Sequence, residues 1–120
     1  MKKNNLQLII YICNHGFAYE AMKVARKVGA RGGTILNGRS SISTEKAKFF
    51  GITLHPEKDV LFIVEKEENS QKIMNTIMEE FGVTSKARGL AFTLPIDHGL
   101  GFSFNDATES LPNIDKNDNK

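Results

Sequence analysis

Two short stretches carry the side chains best suited to holding an anion. Gly38-Arg39-Ser40 ends a run opened by Gly32-Gly33 and continued by Thr34-Ile35-Leu36-Asn37. Turns that glycine permits can aim successive backbone N–H groups at one spot, and arginine adds a forked cation. The second stretch, Thr84-Ser85-Lys86-Ala87-Arg88-Gly89, offers two cations, two hydroxyls and a glycine. Each also reads as a polar turn with its cation in solvent. The three histidines, His15, His55 and His98, show no metal-ligand spacing, and Asp97-His98 is the one adjacent carboxylate–imidazole pair. Cys13 and His15 alternate and could share a side, but a single cysteine is a poor basis for structural zinc. The histidines therefore read as loop residues, and no metal site is assigned. The chain has no Gly-x-Ser-x-Gly, no Walker-type Gly-x-x-x-x-Gly-Lys and no supported cysteine–histidine nucleophile, so no catalytic residue is assigned and the chain reads as a non-enzyme.

The elements that must position these groups follow from hydrophobic periodicity. Leu6 to Cys13 (LQLIIYIC) is nearly all apolar and reads as a buried first strand. Phe17 to Val28 places Phe17, Ala21, Val24, Ala25 and Val28 at helical spacing, and Gly29 suits the C-terminal cap. Gly33 to Asn37 reads as a second strand whose glycines signal a close backbone approach. Asp59 to Glu65 is a third strand. Ser70 to Phe81 aligns Ile73, Met74, Ile77, Met78 and Phe81 on one stripe, with Ser70 as cap and Gly82 as stop. Gly89 to Ile96 is a fourth strand. Pro95 cannot donate to a ladder, so this strand ends there or lies at an edge.

The order strand-helix-strand, long connection, strand-helix-strand is the split βαβ pattern. It predicts an α+β, ferredoxin-like βαββαβ sandwich: a four-stranded antiparallel sheet with two helices on one face, strands two and four at the edges. Strands this apolar on both faces need the second face covered, and assembly of like chains is the simplest cover. Phe49-Phe50, in the long connection, is either tucked under the domain or offered to a partner.

The totals agree with this. A chain of 120 residues reads as one domain, 1–104, with a polar tail, 105–120. A formal charge of +2, 8% aromatics and no tryptophan argue against nucleic acid as a partner. One cysteine fits a reducing compartment. The basic start is followed by an apolar run too short for a secretory signal or a membrane span, so a cytoplasmic location is expected.

Three segments in order, GARGGTILNGRSS, FFGITLHPEKDVLFIVEK and ARGLAFTLPID, resemble the PII nitrogen-regulatory signalling proteins, in particular their shorter PII-like branch. The resemblance runs from about Leu6 to Gly101. It implies a homotrimer that binds an adenine nucleotide, ATP, ADP or AMP with or without magnesium, in clefts between subunits. It also implies that the connection at about residues 40–57 is a mobile T-loop that docks on a partner protein, such as a membrane transporter or an enzyme. On this resemblance the nucleotide-binding residues are Ile12, Asn37, Gly38, Arg39, Ser40, Ala87, Arg88, Gly89 and Leu90. Ser41, Phe49 and Phe50 belong to the partner-binding loop. The family's Gly-Asp-Gly-Lys loop falls on Ala87 to Leu90: Gly89 matches, Leu90 replaces the lysine, Ala87 replaces the first glycine, and Arg88 supplies a cation from the neighbouring position. Asp97-His98-Gly99-Leu100-Gly101 stands where relatives carry Arg-x-Arg. The T-loop segment lacks the tyrosine that some relatives modify. The alternative is a metal-binding trimer of the divalent-cation-tolerance type, with ligands among Cys13, His15, Asp97 and His98.

Overall fold

Alternation along the first strand sets the architecture. In β1, Leu6–Asn14, the odd residues Ile9, Tyr11 and Cys13 are fully buried, while the even residues Leu8, Ile10 and Ile12 are half-buried. A computed structural model describes residues 5–41 and 55–102 of the chain. The elements follow as α1 (Ala18–Lys27), β2 (Thr34–Arg39), β3 (Glu57–Lys66), α2 (Glu67–Phe81) and β4 (Leu90–Pro95). The sheet order is β2-β3-β1-β4 and every neighbouring pair is antiparallel. This is the expected ferredoxin-like βαββαβ arrangement, with β2 and β4 at the edges.

The core lies between the odd side of the sheet and the two helices. Ile9, Tyr11 and Cys13 of β1 meet Leu61 and Ile63 of β3, Ala18, Ala21 and Ala25 of α1, and Ile73 and Ile77 of α2. The alanine stripe lets α1 approach the sheet closely. Met22 and Leu61 crowd Gly33 so tightly that a Cβ there would meet Leu61, Met22 Sδ and the Phe62 carbonyl, each at 2.9 Å. The close approach expected of the second strand's glycines is thus seen at Gly33. Gly29 closes α1 with φ +112: its N–H donates to the Arg26 carbonyl, and that of Ala30 to the Ala25 carbonyl. This paired arrangement ends helices when the residue after the cap can take positive φ.

Three expectations are corrected. The second strand continues through Asn37 and Gly38 to Arg39, because Asp59, Lys58 and Glu57 offer it a continuous partner. The second helix begins at Glu67, directly after β3, and Ser70 lies inside it. The Ser70 hydroxyl donates to Gln7 Oε1 and also lies 3.1 Å from the Glu67 carbonyl, tying α2 to β1 instead of capping the helix. The fourth strand runs Leu90–Pro95, one residue shorter at each end. Pro95 sits on an edge strand, opposite Gln7. The division at residue 104, most of the connection assigned as T-loop, Phe49, Phe50 and the tail 105–120 lie outside the described residues.

Among the described residues, no helix lies on the other face of the sheet. Its cross-strand rows are Leu94–Leu8–Val64, Phe92–Ile10–Phe62–Thr34 and Leu90–Ile12–Val60–Leu36. Every side chain in these rows but Thr34 is apolar. Leu36, Leu90, Phe92 and Leu94 are each at least 40% exposed. Among the described residues this surface is contiguous, apolar and uncovered.

Candidate functional site

The end of β1, the end of β2, the start of β3 and the start of β4 gather at one end of the sheet. Beyond the Leu90–Ile12–Val60–Leu36 row comes Asn14–Lys58–Gly38, on the same helix-free face. Lys58 Nζ donates to Asn14 Oδ1 at 2.8 Å. Asn14 Nδ2 donates to the Lys86 carbonyl at 2.9 Å, and the Asn14 backbone N–H donates to the Ala87 carbonyl at 2.8 Å. One asparagine thus joins the 82–89 turn, the end of β1 and an ammonium group on the apolar face. Sequence reasoning missed Lys58. Its signal was the alternation Lys58, Val60, Phe62, Val64, which puts a cation at the rim of an apolar face.

The 82–89 turn is folded on itself. Ser85 Oγ donates to the Gly82 carbonyl at 2.7 Å and accepts from the Ala87 N–H at 3.1 Å. The Gly89 N–H closes the turn onto the Gly82 carbonyl. Arg88 is exposed and holds φ +49, a region that costs a non-glycine residue energy. Ala87 is fully buried and Gly89 is buried. Of the four residues Ala87 to Leu90, then, Arg88 and Leu90 face outward, and Ala87 and Gly89 hold the turn in place. A Cβ on Gly89 would run into the Phe81 carbonyl and the Tyr11 ring. Those two groups are themselves joined, since the Tyr11 hydroxyl donates to the Phe81 carbonyl at 2.8 Å. Burial, chiefly, pushes the Tyr11 phenol far above its usual range, so it remains a donor. Gly89→Ala should therefore cost about 2–3 kcal/mol of stability, the scale of a forced core overpacking. Chemical denaturation at fixed protein concentration measures it, and an unchanged midpoint would refute the packing argument.

Asn37 and Arg39 lie on the other, helix-side face of β2, in alternation with Gly38. Asn37 Nδ2 donates to Asp59 Oδ1 at 3.3 Å. Asp59 is 4% exposed and collects donors from three further groups: His15 Nδ1 at 2.9 Å, Gly16 N–H at 2.9 Å and Ala18 N–H at 3.3 Å. The cap of α1 therefore comes from β3, far along the chain, while Phe17 at the cap position makes no side-chain bond. Burial pushes the Asp59 carboxyl up, but the Gly16 N–H, His15 and the Ala18 N–H outweigh it, so its pKa falls below 3.8.

The structure brings Ile12, Leu90 and Gly38 to the same face and end of the sheet. It places Arg39 and Arg88 at opposite edges of that end, three strand spacings or about 14 Å apart. Within one chain their backbones are thus separated by the width of the sheet. The Ser40 N–H donates to the Pro56 carbonyl at 2.8 Å and pins the stem of the connection, and Ser41 is exposed beside it. The ligands named for a metal do not converge. Cys13 is fully buried, and burial above all raises its thiol pKa. Asp97 and His98 follow β4, whose last residue pairs with Gln7, about 26 Å along the chain of β1 from His15. Among the described residues, no group of three or more His, Cys, Asp or Glu side chains could hold a metal ion. A groove lined by Gln7, Glu67, Pro95 and His98 lies at that far end and contains none of the residues singled out for anion binding.

No protein-family model matches the chain, and no curated protein matches it. Solved structures do. PII of Arabidopsis thaliana, crystallised with citrate, is 20% identical, with a TM-score of 0.61 over 82% of each chain. A PII-like signalling protein of Thermus thermophilus is 18% identical, with a TM-score of 0.58 over 76% of this chain and 86% of that one. GlnK of B. subtilis, in complex with ATP, is 14% identical, with a TM-score of 0.63 over 83% of this chain and 89% of that one. The helix-free apolar face, the edge strands and the cation-bearing end described above are thus set on the ferredoxin-like fold of the PII and PII-like signalling proteins.

Proposed function

We propose that this chain is a PII-like signalling protein that binds an adenine nucleotide in clefts between copies of itself and acts on a partner protein through the β2–β3 connection. The observation that carries the reading is the placement of Arg39 and Arg88. They stand at the same end but on opposite edges of a sheet whose helix-free face is apolar. A head-to-tail contact sets the β2 edge of one copy beside the β4 edge of the next, and such contacts close into a ring when the rotation between copies returns to the start. A ring of three covers the apolar faces and makes three equivalent clefts. Each cleft has Gly38 and Arg39 on one wall and Arg88 and Leu90 on the other. Lys58 adds an ammonium group for the anionic end of the ligand, and Ile12, Leu90 and Leu36 offer apolar surface to the base.

The structural relatives support a ligand of this class, since one was crystallised with ATP and another with citrate, both polyanions. In the resting chain Lys58 already spends one donor on Asn14 and keeps two for a ligand.

Calorimetric titration with ATP, ADP and AMP, each with and without magnesium, tests this. The expected result is about one site per chain for at least one nucleotide. Lys58→Ala and Arg88→Ala should each weaken binding about tenfold, the worth of one charge-assisted contact. No heat with any of the three, from protein shown to be folded and assembled, would overturn the nucleotide reading.

A further inference from the structure

His15 stands between two carboxylates of β3. Its Nδ1 lies 2.9 Å from Asp59 Oδ1 and its Nε2 lies 3.7 Å from Glu57 Oε1. The two partners differ in freedom. Asp59 is buried and its oxygens are engaged by four donors, so it holds the ring in one orientation. Glu57 is exposed. It is the first residue of β3 and follows Pro56, whose carbonyl accepts the Ser40 N–H across the stem of the β2–β3 connection. Its cross-strand partner is Arg39. The outer nitrogen of His15 therefore faces the root of that connection.

A proton changes the sign of that contact. The bond to Asp59 keeps a hydrogen on Nδ1. In neutral imidazole Nε2 then carries a lone pair that repels Glu57 Oε1. In imidazolium Nε2 carries a hydrogen that attracts it. We propose that His15 is a proton-operated latch, which when charged draws Glu57 toward the start of α1 and fastens the Ser40–Pro56 stem, and when neutral releases it.

The carboxylates around the ring favour its charged form, and the Arg39 cation opposes them. β3 presents Glu57 and Asp59, with Lys58 turned to the opposite face. β2 presents Asn37 and, beside Glu57, the Arg39 cation. β1 presents the Cys13 thiol, which burial keeps protonated. The turn before α1 and its first residue present the N–H groups of Gly16 and Ala18, which point at Asp59, and Glu20 lies in the first turn of the helix. The hydrogen bond to Asp59, then the charge of Asp59, raise the His15 pKa above 6.5, and Glu57 adds to this. With the folded value raised, the latch is closed below 6.5 and opens as pH rises through the folded value.

The test needs no ligand, so it stands or falls apart from the nucleotide reading. The full chain is titrated from about pH 5.5 to about pH 8.5, following the His15 ring nitrogens by NMR and the hydrogen exchange of the Ser40 amide. Ser40 protection, corrected for the intrinsic base-catalysed rate, should fall about threefold as His15 loses its proton, the scale of one exposed ion pair. His15→Gln, whose amide can still donate to Asp59, and Glu57→Gln should each abolish that step. If His15→Gln fails to fold, the exposed Glu57→Gln decides alone. A His15 that titrates at 6.5 or below, a wild-type Ser40 amide indifferent to the titration, or the same step in Glu57→Gln overturns the proposal.

Discussion

Phe92→Glu should leave the protein as single chains, where the wild type is expected to sediment as a trimer. Phe92 lies on β4, opposite Ile10, in the row Phe92–Ile10–Phe62–Thr34 across the helix-free face. In the single chain it is 40% exposed, so a glutamate there can turn its carboxylate to water and the fold survives. In a ring that covers this face the carboxylate has no such escape. Burying an unpaired charge costs several kcal/mol, and a closed ring incurs it at each of its three interfaces. Lys72→Glu, on the exposed side of α2, reverses a charge without touching the face and should leave the assembly intact. Sedimentation velocity separates the outcomes. A Phe92→Glu protein that still sediments as a trimer removes the sheet face as the interface. A monomeric wild type removes the inter-chain cleft, and with it the explanation of why Arg39 and Arg88 stand on opposite edges.

The second large effect falls on Asp59. Asp59→Ala should destabilise the fold by about 3 kcal/mol, the upper part of the range for breaking a buried polar network. The loss has two sources. The N–H groups of Gly16 and Ala18 lose the acceptor that opens α1, and Asn37 of β2 loses its tie to β3. Asp59→Asn keeps the shape but offers one oxygen instead of two, so it should fall between wild type and alanine. The pH dependence has a definite direction. Because the folded pKa lies below 3.8, the contribution of Asp59 is fully present at neutral pH and is lost as pH falls through that depressed value. Urea denaturation at fixed protein concentration, at neutral pH and in acid, measures both. If Asp59→Ala unfolded at the wild-type midpoint, the cap supplied from β3 would carry no stability. If acid narrowed no part of the gap between wild type and Asp59→Ala, the ionised form would not be the one that matters.

The chain order of strands and helices was legible because each segment declares its own period. LQLIIYIC and DVLFIVE are dense enough for strands, and SQKIMNTIMEEF repeats its apolar residues at helical spacing. That order leaves few topologies, and the sheet order followed from it. Local capping was legible at Gly29, where one residue and its neighbours make the whole structure. The start of α1 was not legible, because its cap is Asp59, and hydrogen bonds of that range leave no mark in a sequence window. Ser70 misled for the converse reason: a good capping residue was drawn into the helix by Gln7, across the fold.

Fold class, the apolar character of both sheet faces and the two basic turns were already present in the unfolded chain. Which of those residues share a surface came only with folding. Strand alternation sent Gly38 and Lys58 to the open face, and Asn37 and Arg39 to the helix side. Pairing of β1 with both β3 and β4 set Ile12 beside Leu90, while the order of four strands set Arg39 and Arg88 at opposite edges. Packing against Tyr11 and the Phe81 carbonyl left no room for a side chain at Gly89. The reason is physical: composition and period are local properties of the chain, whereas register and the lateral order of strands arise only when distant segments hydrogen-bond and pack.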